Sequence, residues 1–381
     1  MTTNISKKSA TNGFQLSVLA LSVASALPMQ TAIAEEVKQL PAVKISEQDI
    51  NETREDYKVD DLSSEAVMKD RGATTLTDTL RGVSGIAMSA GEGGDPTGDN
   101  LTIRGFSAKT DLFIDGIRDI AGYSRDMYNV ETVEVSKGPG SSVTGRGSVG
   151  GAVNLSTKSA RLETFTDMSV LAGTENNHRL TLDTNQILGE TTAIRFNAMT
   201  TDGDVAGRDD VENQMNAGAL SLATGLGTGT RLTLSAEYQK QDNLPDYGLP
   251  RINNYSNDVT REFTNSLTRY SGGPGSESLF DNFYGNTHRD FEDIEAKNLN
   301  AALEHDLSED TMLRLQMRYS EVERQSITTA PRFLTRNVGG VDIYGLDGIR
   351  FSDEKTRDQE TSMLAFQAAL IGQAGKHDYS V

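Results

Sequence analysis

Arg231-Leu232-Thr233-Leu234-Ser235-Ala236-Glu237-Tyr238 is the stretch that decides the fold: Leu232, Leu234, Ala236 and Tyr238 are apolar, while Arg231, Thr233, Ser235 and Glu237 are polar. A period of two puts the first set on one face of an extended chain and the second on the other. The alternation recurs in Ile194, Phe196 and Ala198 against Arg195 and Asn197, and in Leu313, Leu315, Met317 and Tyr319 against Arg314, Gln316, Arg318 and Ser320. It returns in Leu364, Phe366, Ala368 and Leu370. A soluble β-sandwich alternates too, so the connections must separate the two folds. Strands are predicted at about 164–172, 178–187, 191–200, 214–224, 230–240, 294–306, 311–322 and 360–371, with another starting near His377. Leu188–Glu190, Gly225–Gly229, Leu307–Asp310 and Gly372–Lys376 are short links, whereas Thr201–Asn213, Gln241–Asp293 and Glu323–Gln359 are long and polar. Gly173–Asn177, short but on the long-loop side, departs from this pattern. Tight turns at one end and long loops at the other mark a transmembrane antiparallel β-barrel.

The first strand then ascends from the periplasmic side, which leaves the preceding domain free to fold back into the lumen. That domain, from about Leu62 to Leu155, is compact and mixed α+β, as expected of a plug. Thr75-Leu76-Thr77-Asp78-Thr79-Leu80-Arg81 reads as a short helix ending near Gly82, with Thr75 or Thr77 as its cap. Short strands are predicted at Leu101–Arg104, Leu112–Ile114, Val130–Val135 and Ala152–Ser156. A plugged lumen needs about 22 strands, so the chain is expected to hold only about the first 8 to 9, a C-terminally truncated barrel.

Residues 1–34 read as a signal peptide: Lys7 and Lys8 precede an uncharged apolar run from Phe14 to Met29, and Ala32-Ile33-Ala34 offers a small-x-small cleavage site. The expected division is signal peptide 1–34, periplasmic N-terminal segment 35–60, plug 61–160 and first part of the barrel 161–381. Cysteine is absent, which excludes a disulfide framework and thiolate metal sites. The formal charge of −19 becomes −21 once a signal with two lysines and no acid is removed, and no dense basic block occurs. Nucleic-acid binding, which needs a basic stripe, is excluded.

In that order of parts the chain resembles a TonB-dependent receptor. Leu80-Arg81-Gly82-Val83-Ser84-Gly85-Ile86, Leu101-Thr102-Ile103-Arg104-Gly105-Phe106 and Phe113-Ile114-Asp115-Gly116-Ile117-Arg118-Asp119 are similar to successive plug signatures. The last runs from Val130 through Lys137-Gly138-Pro139 to Gly145-Arg146-Gly147-Ser148-Val149-Gly150-Gly151-Ala152-Val153-Asn154. Arg118-Asp119 with Tyr123-Ser124-Arg125-Asp126, and Leu244-Pro245-Asp246-Tyr247-Gly248-Leu249-Pro250, look most like the catecholate ferric siderophore receptors.

The resemblance implies a monomer in the outer membrane that binds an Fe(III)-siderophore above the plug and imports it with energy from TonB. Leu40-Pro41-Ala42-Val43-Lys44-Ile45-Ser46 would be the TonB box; its alternation around Pro41 also suits a strand awaiting a partner. Arg104 and Lys137 stand where the family has plug cations paired with barrel carboxylates. Ligand contacts are expected at the plug apex from Tyr123, Arg125, Tyr128 and Lys109, because an iron catecholate is anionic and aromatic. Glu92, Asp95 and Asp99 in the first apex loop run against that polyanion. Cobalamin, haem or glycan uptake remain open as ligand classes. So does a signalling role, although no extra domain precedes Leu40, and so does a passive pore.

Other motifs fail on context. Gly145-Arg146-Gly147-Ser148-Val149-Gly150 has dinucleotide-fingerprint spacing but leads into a predicted strand, and Arg146-Gly147 replaces the Lys and Ser/Thr of a P-loop. His178, His288, His305 and His377 lack metal-ligand spacing, and no nucleophile–base set is found. Neither catalysis nor a resident cofactor or metal is expected.

Overall fold

The computed structural model describes residues 61–88, 98–138, 149–174, 176–248, 281–338, 341–374 and 377–380, without the side chains of 332–353 and 373–380. Residues 1–34, read as a signal peptide, the 35–60 segment with its Leu40–Ser46 island, most of the first apex loop and the Gly145–Ser148 stretch lie outside the described residues.

The N-terminal half of the described chain builds two small sheets. β1 (Asp61–Ser64), β5 (Leu112–Ile114), β6 (Ile117–Arg118), β7 (Val130–Lys137) and β8 (Gly151–Thr157) form one, in the order β1-β7-β8-β5-β6. Its one parallel pair is β5 with β8. β2 (Ile86–Met88), β3 (Leu101–Ile103) and β4 (Phe106–Ser107) form the other. Helix α1 (Glu65–Asp70) is capped by Ser64, and α2 (Leu76–Leu80) by Thr75, whose hydroxyl accepts from Asp78 N at 3.1 Å and donates to Asp78 Oδ2 at 2.8 Å. That cap satisfies an amide the first turn leaves orphaned. Leu76, Leu80, Leu101, Ile103, Leu112, Val133, Val135, Val153 and Leu155 close the core.

Two of the quoted motifs are hairpins. Arg104-Gly105 joins β3 to β4 and Asp115-Gly116 joins β5 to β6, and all four residues have positive φ: 51° and 83°, 52° and 81°. This is the two-residue type I′ turn, whose second position favours glycine. Asp115 then anchors its turn by accepting from Thr157 N and Oγ1, both at 2.8 Å.

The remainder is a nine-stranded antiparallel sheet whose strands lie side by side in chain order. They are β9 (Phe165–Ala172), β10 (His178–Gly189), β11 (Thr192–Asp204), β12 (Glu212–Thr224), β13 (Thr230–Leu244), β14 (Phe291–Ser308), β15 (Thr311–Val338), β16 (Val341–Ala374) and β17 (His377–Ser380). A plug followed by antiparallel barrel strands is thus the architecture. At the tight β12–β13 turn Gly225 has φ +76°, and a Cβ there would lie 2.0 Å from Thr230 O, so only glycine fits.

Register confirms the two faces. Ile194, Leu222, Leu234, Ala301, Met317 and Phe366 form one lateral row on the outward face. Two rows beyond the Leu220–Leu299 row this face carries Thr200, Asn216, Lys240, Glu295, Glu323 and Glu360, so its apolar band ends abruptly. The inward face is small and polar, as in Asn197, Ala219, Glu237, Asn298 and Ser320. No described helix is long and apolar enough to cross a membrane.

One expectation is corrected. Glu323–Gln359, read as a long polar loop, is a continuous hairpin in which β15 and β16 pair as far as Val338 and Val341. Strands were sought by one apolar face, and past the apolar band both faces carry polar side chains, Glu323 and Gln325 on one and the buried Arg324 and Ser326 on the other, so the alternation is lost while the backbone pairing is kept. β11, β13 and β14 exceed their predicted ends for the same reason.

Candidate functional site: the plug apex and its seat on the wall

The chain from Asp119 to Asn129 crosses the top of the plug with alternating burial: Ala121, Tyr123, Arg125 and Met127 point inward, Gly122, Ser124 and Asp126 less so. Arg125 is 4 % exposed and ties two segments together. Its Nη1 donates to Asp99 Oδ2 at 2.9 Å, its Nη2 to Asp119 Oδ2 at 3.0 Å and to Ala121 O at 2.9 Å. The guanidinium stacks on the Tyr123 ring, 4.3 Å from its centroid, and Tyr123 Oη donates to Asp119 Oδ2 at 3.1 Å. Arg318, on the inward face of β15, approaches Asp119 at 3.9 Å from the wall. Two carboxylates and two guanidiniums therefore balance in a site closed to water.

Burial pushes Asp119 upward, but Arg125 and Arg318 outweigh it and hold this carboxyl below its ordinary value. Asp99 is raised, because burial there exceeds what Arg125 returns. Burial, reinforced by Asp119, drives the Tyr123 phenol well above its usual range. Burial alone would lower Arg125, yet Asp119 and its other partners raise it.

Three further contacts seat the apex. Arg179 of β10 clasps Asp126 through both oxygens, at 2.6 and 2.7 Å. Tyr128 Oη donates to Glu237 Oε1 of β13 at 3.0 Å, and Gln241 Nε2 donates to Ser124 O at 2.9 Å. Lower down, Lys158 bridges Glu65 of α1 and Asp183 of β10, both at 2.9 Å, while Arg195 of β11 grips Asp183 at 2.8 and 2.9 Å.

Tyr123 and Arg125, singled out in the sequence, are brought together and both are buried. Tyr128 is also buried, against Met199, Met215, Ala217 and Ala219. Lys109 is exposed in the β4–β5 connection, away from that cluster. Arg104 is exposed at its turn, and Lys137 Nζ lies 3.4 Å from Ser84 Oγ. Among the described ion pairs, the cations that join plug to wall are Lys158, Arg179, Arg195 and Arg318. A signal for three of them was present: each is a charge at an inward position of an alternating strand, where only a filled lumen offers a partner.

Residues 37–152 match the TonB-dependent Receptor Plug Domain family. The chain belongs to the TonB-dependent receptor family. It is 40 % identical over 269 residues to the catecholate siderophore receptor Fiu of Escherichia coli K12, covering 70 % of this chain and 35 % of Fiu. It is 33 % identical over 383 residues to the probable TonB-dependent siderophore receptor PiuA of Acinetobacter baumannii, covering 96 % of this chain and 49 % of PiuA. The closed-form crystal structure of the ferric-catecholate import receptor Fiu superposes with a TM-score of 0.72 at 34 % identity, over 84 % of this chain and 45 % of Fiu. This receptor chain thus spans roughly a third to a half of the length of the curated relatives it matches.

Proposed function

We propose that this chain is part of an outer-membrane transporter, not an enzyme, that imports a ferric siderophore of the catecholate class with energy supplied through TonB. The observation that carries the reading is a plug seated by buried ion pairs against a strand wall whose outer face is an apolar band. A small plug pinned in a lumen blocks passive flow, so passage needs work done on the plug. TonB would reach it by strand addition at Leu40–Ser46. Fe(III)-siderophore is cargo here, and no resident cofactor or metal is invoked. Tyr123, Arg125 and Tyr128 would shape the apex from beneath, leaving Lys109 and Ser124 to meet the ligand; Arg104 and Lys137 would hold the plug.

The test is uptake of labelled iron catecholate by iron-limited cells carrying the full-length protein. Deleting Leu40–Ser46 should abolish uptake and spare binding. Uptake that survives the deletion, or that ignores iron catecholates, would sink the proposal.

A further inference from the structure

The plug is held to the described wall in two chemically different ways. Toward β10, β11 and β15 the contacts include ion pairs: Asp126–Arg179, Lys158–Asp183, Glu131–Arg195 and Asp119–Arg318. Over β12 and β13 the polar contacts are hydrogen bonds from uncharged donors: Ala160 N to Ser221 Oγ at 3.1 Å, Tyr128 Oη and Asn129 Nδ2 to Glu237 Oε1 at 3.0 and 3.3 Å, and Gln241 Nε2 to Ser124 O.

That seam also holds a cavity, lined among others by Asn129, Lys158, Ser221, Ser235, Glu237 and Asn300, with about 10 Å³ of room for water centres. This is the space of one molecule. Asn129 Oδ1 of the plug and Asn300 Oδ1 of β14 are buried with no hydrogen-bond partner, and Asn129 is only 6 % exposed. Both are acceptors and both residues line the cavity, so a molecule with two protons to give would satisfy the pair. The Ser221 hydroxyl, which accepts from Ala160, has a proton to offer in return.

We propose that this cavity binds a water molecule that donates to Asn129 Oδ1 and Asn300 Oδ1, making the β12–β14 seam hydrated and the place where the plug parts first from the described wall. Leaving buried carbonyls unmet is costly, and a water replaces direct bonds at little loss. Ion pairs lack that exchange, because parting them strands two opposite charges, whereas among the bonds across this seam only Glu237 is charged and it keeps Asn298 of its own wall as a donor. The parting rests on the transport reading above, whereas the water does not.

A crystal structure of the full-length protein with ordered solvent should show one water within hydrogen-bond distance of both oxygens. A dry cavity overturns the proposal whatever the protein transports. Asn300→Leu keeps the branched shape, fills the space with methyl groups and removes the acceptor, while Asn300→Asp keeps an acceptor. The Leu variant should lose the water and take up iron(III) catecholate severalfold more slowly at saturation, with half-saturation unchanged; the Asp variant should stay near wild type. Wild-type uptake in a dry Leu variant, or a parallel fall in affinity, overturns the parting role.

Discussion

Plug and wall bury their apolar side chains in opposite directions. In the plug, Leu76, Leu101, Ile103 and Val153 turn toward one another and are fully enclosed. In the wall, Leu234, Leu299, Leu315 and Phe366 turn outward and remain 41–72 % exposed, while Arg195, Asn197, Asn298 and Arg318 turn inward and are buried. The plug is an ordinary globular core. The wall is finished only when a plug covers its polar face and hydrocarbon covers its apolar one. The contrast explains how a buried surface can be rich in charge: Lys158, Arg179, Arg195 and Arg318 each have an acid or amide opposite them.

The comparison breaks hardest at Arg125. Arg125→Ala leaves Asp99 and Asp119 buried without their partner and should lower plug stability by about 3–5 kcal/mol, read by hydrogen exchange of the core amides. A loss under about 1 kcal/mol would mean the cluster is solvated and the plug top open. Next is the outer face: Leu234→Arg should cost about 2–4 kcal/mol in a bilayer folding assay, if that row lies near the mid-plane. No penalty there would place water, not lipid, against it.

Tyr128→Phe removes one bond to a buried carboxylate and should cost about 1–3 kcal/mol of plug–wall docking, measured as a lower plug melting temperature with the wall transition unmoved. The smallest effect is the pH dependence. Asp119, held low, contributes stability at neutral pH that is lost as pH falls through its depressed value. Asp99, held high, contributes the opposite way, so its protonation on acidification relieves rather than weakens the fold. Exchange relative to the intrinsic amide rate at Gly98–Asn100 and at Ala121 should therefore stay flat on mild acidification and rise only once Asp119 protonates. A steady rise from neutrality would show that the two carboxyls do not differ in this way.

Much of the fold was legible before any coordinates. Alternation in Arg231–Tyr238 and its counterparts marks strands because a sheet with two unlike environments demands two unlike faces. The turn at Arg104-Gly105 was not read, since the predicted strand Leu101–Arg104 ran into it, although a type I′ turn with positive φ at both centres is what a glycine at its second position permits. The site was legible only in part. Tyr123 and Arg125 stood out as a cation beside a ring, yet the same pairing serves a ligand or a buried salt bridge equally well.

Local sequence determined which residues pair, which face is oily, and that a small mixed domain precedes a strand wall, since these follow from periodicities of a few residues. Tertiary structure alone decided that Arg125 is satisfied by Asp99 and Asp119, that Lys158 and Arg318 join plug to wall, and that the polar ribbon after Glu323 stays paired. Those outcomes depend on which groups far apart in the chain exclude water from one another, and burial of that kind leaves no mark on neighbouring residues.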